Sequence, residues 1–164
     1  MTGNEEDDLP LITPLNGQLD RFDRAILALL AQDGRMSVTE IAAKVGLSKT
    51  PCQNRIARMR AAGVILGFRV VVDPAKLGRD HVAFVEVRLT DTTEKALRAF
   101  NAAVLKVPEI EQCHMIAGAF DYLLKVRTRD IRDYRHVLGE VISALPHVGH
   151  TSTHVSMEAV KDEA

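Results

Sequence analysis

Ser37-Val-Thr-Glu40-Ile-Ala-Ala-Lys44-Val-Gly46-Leu-Ser48-Lys-Thr-Pro51-Cys-Gln-Asn-Arg-Ile-Ala-Arg-Met-Arg60 is the stretch whose pattern decides the architecture. Ser37 followed three residues later by Glu40 is a capping box, each side chain meeting a backbone N–H that the first helical turn leaves without a partner. Val38, Ile41, Ala42 and Val45 then recur at helical spacing and stop at Gly46. A new helix starts at Ser48, with Pro51 tolerated in its first turn, Cys52, Ile56 and Met59 on its inner face and Gly63 as its stop. Two short helices joined through Val45-Gly46-Leu47 make a helix-turn-helix.

The flanks complete this unit. Asp20 caps an earlier helix in which Phe22, Ile26, Leu29 and Leu30 form the apolar face, up to the break at Asp33-Gly34. Val64 to Val72 is a β-prone run that predicts a short strand or wing, and Asp73-Pro74 and Lys76-Leu77-Gly78 supply turns. Residues 1–18 combine Glu5, Glu6, Asp7 and Asp8 with Pro10, Pro14 and Gly17 and predict a flexible acidic arm.

Charge follows the same division. The chain carries a formal −1, distributed as −4 over residues 1–19, +5 over 20–70 and −2 over 71–164. Between Glu40 and Asp73 there is no acid, while Lys44, Lys49, Arg55, Arg58, Arg60 and Arg69 are all basic. In a helix-turn-helix the second helix enters the major groove with its N-terminal residues at the base edges. Ser48, Lys49 and Thr50 stand at that end; Gln53 and Asn54 have the amide geometry for adenine, and Arg58 can fork onto guanine or phosphate. Lys44, Arg55 and Arg60 suit contacts to the DNA backbone. The plainer reading is a solvated basic helix surface; the coincidence of a capped tri-helical pattern with an acid-free window favours DNA.

From His81 the period changes to two: Ala83, Val85, Val87 and Leu89 alternate with Glu86 and Arg88. Leu97, Phe100, Val104 and Val107 mark a helix, Ile110 to Ala117 a strand, Tyr122 to Arg127 another, Ile131 through Leu145 a second helix, and Thr151 to Met157 a last strand. This β-α-β-β-α-β order is the split arrangement of ferredoxin-like domains. The fold class is α+β: residues 19–67 a winged helix-turn-helix, 68–80 a linker of strand and turn, and 81–164 a ferredoxin-like domain. Both helices cover one sheet face, and Val155 and Met157 with apolar residues of the first strand invite a second protein surface on the other.

Other chemistries fit less well. Cys52 and Cys113 lie among apolar neighbours, outside any Cys-x-x-Cys pair, so no disulfide is expected. His147, His150 and His154 raise a metal site, but His147 follows Pro146 at a turn and a fourth ligand is not evident. Cys113 and His114 would point to opposite strand faces, and neither a GxxxxGK[ST] nor a GxGxxG loop is present, so no enzyme is expected. No apolar run reaches the roughly 20 residues of a membrane helix, and a cytoplasmic location is expected.

These residues resemble the leucine-responsive/asparagine regulator (Lrp/AsnC) family of transcription factors over Leu19 to Lys161. The motifs are Leu19-Asp-Arg-Phe-Asp-Arg-Ala-Ile-Leu, Gly46-Leu-Ser-Lys-Thr-Pro-Cys52, Arg55-Ile, Gly63-Val-Ile-Leu-Gly67 and Gly118-Ala-Phe-Asp121-Tyr122, the last resembling the Gly-x-x-Asp-Tyr/Phe signature of the effector domain. Similarity to the leucine-responsive branch comes through Phe100-Asn101, Glu111-Gln-Cys-His114, Asp121-Tyr-Leu-Leu-Lys125, Tyr134-Arg135, Leu138-Gly-Glu140 and Met157-Glu158, and extends to activators of proline dehydrogenase. The resemblance implies a regulator of double-stranded DNA, a homodimer formed through the sheets that assembles to octamers or similar rings, and a small effector, usually an amino acid, with leucine and proline both open. It places Gly118, Asp121 and Tyr122 in the effector pocket and Thr151, Ser152 and Thr153 at a second wall. In that loop backbone N–H groups suit a carboxylate and Asp121 an ammonium. Equally, Gly118 with positive φ and Asp121 capping its own backbone would make only a tight turn. An architectural DNA binder that senses no ligand is the remaining alternative.

Overall fold

The computed structural model describes residues 19–162, so the acidic arm expected over residues 1–18 lies outside the described residues. Packing divides the chain after Val70 into two compact units.

The first unit holds α1 (Arg21–Gln32), α2 (Val38–Val45) and α3 (Lys49–Ala61). Asp20 caps α1, accepting from the Phe22 and Asp23 backbone N–H groups, and the side chain of Asp23 returns a bond to the Asp20 N–H. Ser37 and Glu40 form the reciprocal box at α2. Gly46 closes α2 at φ 73°, a left-handed conformation that glycine adopts without steric cost. Ile26, Ile41, Ala42, Cys52 and Met59 are the buried centre, with Leu47, Ile56 and Ile65 packed around them. The wing expected from Val64 to Val72 is not formed: no strand is present there, and Leu66, Val70, Val71 and Val72 are exposed. High β-propensity needs a neighbouring strand to pair with, and none adjoins this run among the described residues.

The second unit follows a 3-10 turn at Ala75–Leu77 with β1 (His81–Leu89), α4 (Glu94–Val104), β2 (Ile110–Met115), β3 (Tyr122–Thr128), α5 (Ile131–His136, continuing as a π-helical stretch through Val137–Ile142) and β4 (Val148–Val155). The antiparallel sheet runs β2-β3-β1-β4. Ala83, Val85 and Val87 of β1 and Tyr122, Leu124 and Val126 of β3 face Phe100, Val104, Tyr134, Val137 and Ile142, giving one sheet-on-helix core.

The other sheet face is more polar than the sequence reading expected. Lys125 and Arg127 lie on it, each 8 % exposed. Lys125 Nζ donates to Asp162 at 2.6 Å and Arg127 Nε to Glu111 at 2.5 Å, with Arg127 Nη2 reaching Asp162 at 3.2 Å. Buried cations persist only with such partners. Val155 stands in register with Ala83 and therefore shares the helix-covered face; Val82, Phe84 and Leu123 remain as partly exposed apolar groups of the open one.

Candidate nucleic-acid interface and effector loop

On α3, Cys52 and Met59 are buried, and Ser48, Lys49, Thr50, Gln53, Asn54 and Arg60 are exposed along with Lys44 of α2. Ser48 occupies the N-cap position without spending its hydroxyl on the helix. The end of α3 therefore presents uncommitted backbone N–H groups and the positive end of the dipole to an anion, beside the Lys49 ammonium.

Arg55 and Arg58 are used differently from the expectation. Arg55 Nη1 donates to Asp20 Oδ2 at 2.6 Å and to Asp23 Oδ1 at 2.9 Å, and Arg58 Nη2 donates to Asp23 Oδ2 at 2.7 Å. Asp23 is 2 % exposed, so its charge must be neutralised inside the unit, and two arginines of α3 do so. The Asp23 carboxylate beside Arg55 pushes the guanidinium further up, with Asp20 adding to it. Arg55 is thus committed to Asp20 and Asp23 within the head; Arg58 keeps half of its side chain exposed but is anchored through Asp23. Sequence reasoning missed this clamp because Asp20 read as an ordinary cap and Asp23 drew no reading at all, and nothing in the spacing links them to residues more than thirty positions away.

One expected result separates the two kinds of base. Lys49→Ala will lower the slope of log affinity against log salt by about 0.9, the loss of one phosphate contact, while Arg55→Ala will act through the stability of the head and leave the slope within error. Equal slopes for Lys49→Ala and wild type, in a titration by fluorescence anisotropy, would remove Lys49 from the interface.

In the second unit the loop after β2 closes tightly. Ile116 N–H donates to the Asp121 carbonyl at 2.8 Å, and Asp121 N–H to the Val87 carbonyl at 2.9 Å. Asp121 Oδ2 accepts from the Leu89 N–H at 2.7 Å. Asp121 therefore ties its loop to the end of β1 rather than capping its own backbone. Gly118 likewise departs from expectation: it has no positive φ, and a Cβ there would meet only Ile116 at 3.6 Å. Tyr122 is 2 % exposed with its ring 4.5 Å from that of Phe100, so it packs the core. Burial pushes its phenol up, and Asn101 alongside partly offsets this.

Thr151 is in register with Val87, which is in register with Tyr122, so these three form one row across the sheet at the loop's end. Ser152 pairs with Glu86 on the opposite face, and the Thr153 hydroxyl is 2.6 Å from that of Tyr134. Gly118, Asp121, Tyr122 and Thr151 are brought to one end of the sheet; Ser152 diverges because adjacent strand residues face opposite ways, while Thr153 keeps the face of Thr151 but lies one row further from the loop, opposite Val85. The residue that the sequence reading passed over is Arg88, whose Nη2 donates to the Ala119 carbonyl at 2.6 Å.

Other candidates separate in space. His154 Nε2 lies 3.1 Å from Glu86 Oε1, and among the described residues no three His, Cys, Asp or Glu side chains gather as a metal site. Cys52 and Cys113 are free thiols, both pushed up by burial. No helix among the described residues is long and apolar enough to cross a membrane.

A tri-helical head with an open recognition helix, carried with a ferredoxin-like domain, defines a DNA-binding regulator. Comparison narrows this: residues 19–60 match the AsnC-type helix-turn-helix domain and 82–164 the Lrp/AsnC ligand binding domain. The chain is 64% identical to a proline dehydrogenase transcriptional activator of Rhizobium radiobacter over 88% of this chain and 92% of that one. It is 45% identical to the leucine-responsive regulatory protein of Escherichia coli over 87% of each. A transcriptional regulator of Neisseria meningitidis solved in complex with L-Met superposes with a TM-score of 0.81 at 26% identity, covering 88% of this chain and 94% of that one. The chain belongs to the Lrp/AsnC family of transcriptional regulators, and these are DNA-binding proteins rather than enzymes.

Proposed function

We propose that the chain is a cytoplasmic regulator that reads double-stranded DNA through Ser48, Lys49, Thr50, Gln53 and Asn54, with Lys44 and Arg60 on phosphates. An amino acid bound at the loop of Gly118 and Asp121 controls it. The observation that carries the DNA reading is the exposed N-terminal half of α3, where the side-chain amides of Gln53 and Asn54 make no hydrogen bond within the described residues. Amide side chains left open on a recognition helix are donors and acceptors for base edges.

The effector reading is supported by a loop whose backbone is fixed by bonds from Val87, Arg88 and Leu89, leaving a preformed polar rim. The Neisseria meningitidis regulator holds L-Met. Likeness to the Rhizobium radiobacter protein makes a proline dehydrogenase gene the target to test, with proline, leucine and methionine as effectors. A homodimer closed over the open sheet face, and larger rings built from it, would supply the avidity that one modest head lacks.

The test is a mobility shift on the promoter of the host's own proline dehydrogenase gene, repeated with each of the twenty amino acids. A specific complex whose affinity or footprint changes with at least one amino acid is expected. Retardation no stronger than that of random DNA would overturn the target assignment. A specific footprint identical in every amino acid would instead favour an architectural role.

A further inference from the structure

We infer that Arg88 is the residue that receives the carboxylate of the effector, with His150 beside it; the inference rests on the amino-acid reading above. The Arg88 guanidinium is drawn over the loop by its 2.6 Å bond to the Ala119 carbonyl. That bond uses one of five N–H donors arranged in a rigid planar fork. Among the described residues no carboxylate pairs with it: Glu86, two positions back on the same face of β1, is taken by His154, and Asp121 Oδ2 by the Leu89 N–H. An exposed guanidinium held at a loop without an acid offers its remaining donors to an incoming anion, and two parallel N–H bonds match a carboxylate.

The surroundings add a second base. Arg88 stands directly across the ladder from His150, which is exposed, and cross-strand neighbours have Cβ atoms about 5 Å apart. The register shifts between Arg88 and Leu89 at that point, with Gly149 as the extra residue of β4. A Cβ at Gly149 would lie 2.7 Å from Thr90 Cγ2, so glycine is what allows β4 this close. A bulge re-aims the side chains beside it, here at the end of the sheet where the 116–121 loop is attached. Arg88 and His150 thus supply donors for a carboxylate, while Asp121 Oδ1 and the loop carbonyls supply acceptors for an ammonium at the same end of the sheet. The pairing is that of an α-amino acid and not of a simple amine or a phosphate.

If Arg88 only holds the loop in place, its loss weakens every ligand alike; if it receives the carboxylate, its loss weakens only acids. Calorimetry on the full-length oligomer therefore screens the twenty amino acids, L-leucine, L-methionine and L-proline first, and compares each one that binds with its primary amide. The wild type is expected to prefer acid over amide by at least about tenfold for the amino acid it binds. Arg88→Met is expected to weaken the acid by about that factor, leave the amide unchanged and bring the ratio near one. Arg88→Lys keeps the charge without the fork and should retain part of the preference; should Arg88→Met fail to fold, the reduced ratio in Arg88→Lys carries the test.

Undiminished acid preference in the variants overturns the inference, as does equal weakening of acid and amide. A wild type that binds acid and amide equally overturns it too, while leaving amino-acid sensing intact. A wild type that binds none of the twenty amino acids removes the amino-acid reading itself, and the inference with it.

Discussion

Asp23→Ala will destabilise the DNA-binding head by about 2 kcal/mol, a large fraction of the stability of so small a unit. Asp23 is 2 % exposed and accepts from three donors: the Asp20 backbone N–H, Arg55 and Arg58. Removing one partner of a buried ion pair costs about 3–5 kcal/mol when the other stays buried. Arg55 and Arg58 are partly solvated at 24% and 49% side-chain exposure, so water takes up part of their charge and the figure falls to the lower value. Hydrogen exchange of the α1 and α3 amides in the full chain measures the head without assuming one cooperative transition. Protection unchanged within about 0.5 kcal/mol would show that the clamp is decorative.

Acid acts on the same clamp. The Asp20 carboxyl is held below its ordinary value of 3.8, chiefly by the Asp23 backbone N–H and then by Arg55. A lowered carboxylate stabilises fully above its ordinary value and loses that contribution as pH falls through the lowered one. Exchange from the α1 N-terminus is therefore expected to accelerate only below about pH 4, and a change beginning near pH 6 would point to a histidine instead.

The paired substitution Gln53→Ala/Asn54→Ala will abolish sequence discrimination, weakening the specific site by about 2–4 kcal/mol, or roughly 30- to 1000-fold. Each amide can form a bidentate pair with an adenine, typically about 1–3 kcal/mol of discrimination. Neither side chain carries charge or contributes to the buried centre, so the fold and the salt slope should stay as in wild type. This combination separates base readout from phosphate contact. Competition between a promoter fragment and random DNA reads it directly. A specificity ratio that survives the double substitution would move the reading surface elsewhere on the head.

What was legible in the chain was local or periodic. Ser37-Glu40, Gly46 and the Cys52, Ile56, Met59 spacing announce α2, the turn and α3, because caps and helical stripes are short-range physics. The alternation from Ala83 to Leu89 and the return of helical spacing at Leu97 announce the second unit by the same logic. The β-prone run from Val64 to Val72 forms no wing, since such a run becomes a strand only when another strand lies beside it.

Long-range pairing decided the remainder. Whether Arg55 faces phosphate or Asp23 depends on how α1 crosses α3, and no spacing along the chain encodes that crossing. Asp121 was recognisable as a loop residue, but its bond to Leu89 and the position of Arg88 over Ala119 exist only once β1 and β3 are in register. Thr151 joins Tyr122 at one end of the sheet while Ser152 turns to the other face for the same reason. By itself the sequence determined two units, their element order and a basic head suited to DNA, because composition, caps and periodicity act over a few residues. Which charges are free to meet a ligand was decided by the tertiary structure alone, because an ion pair or hydrogen bond forms only where folding places its two ends within about 3 Å.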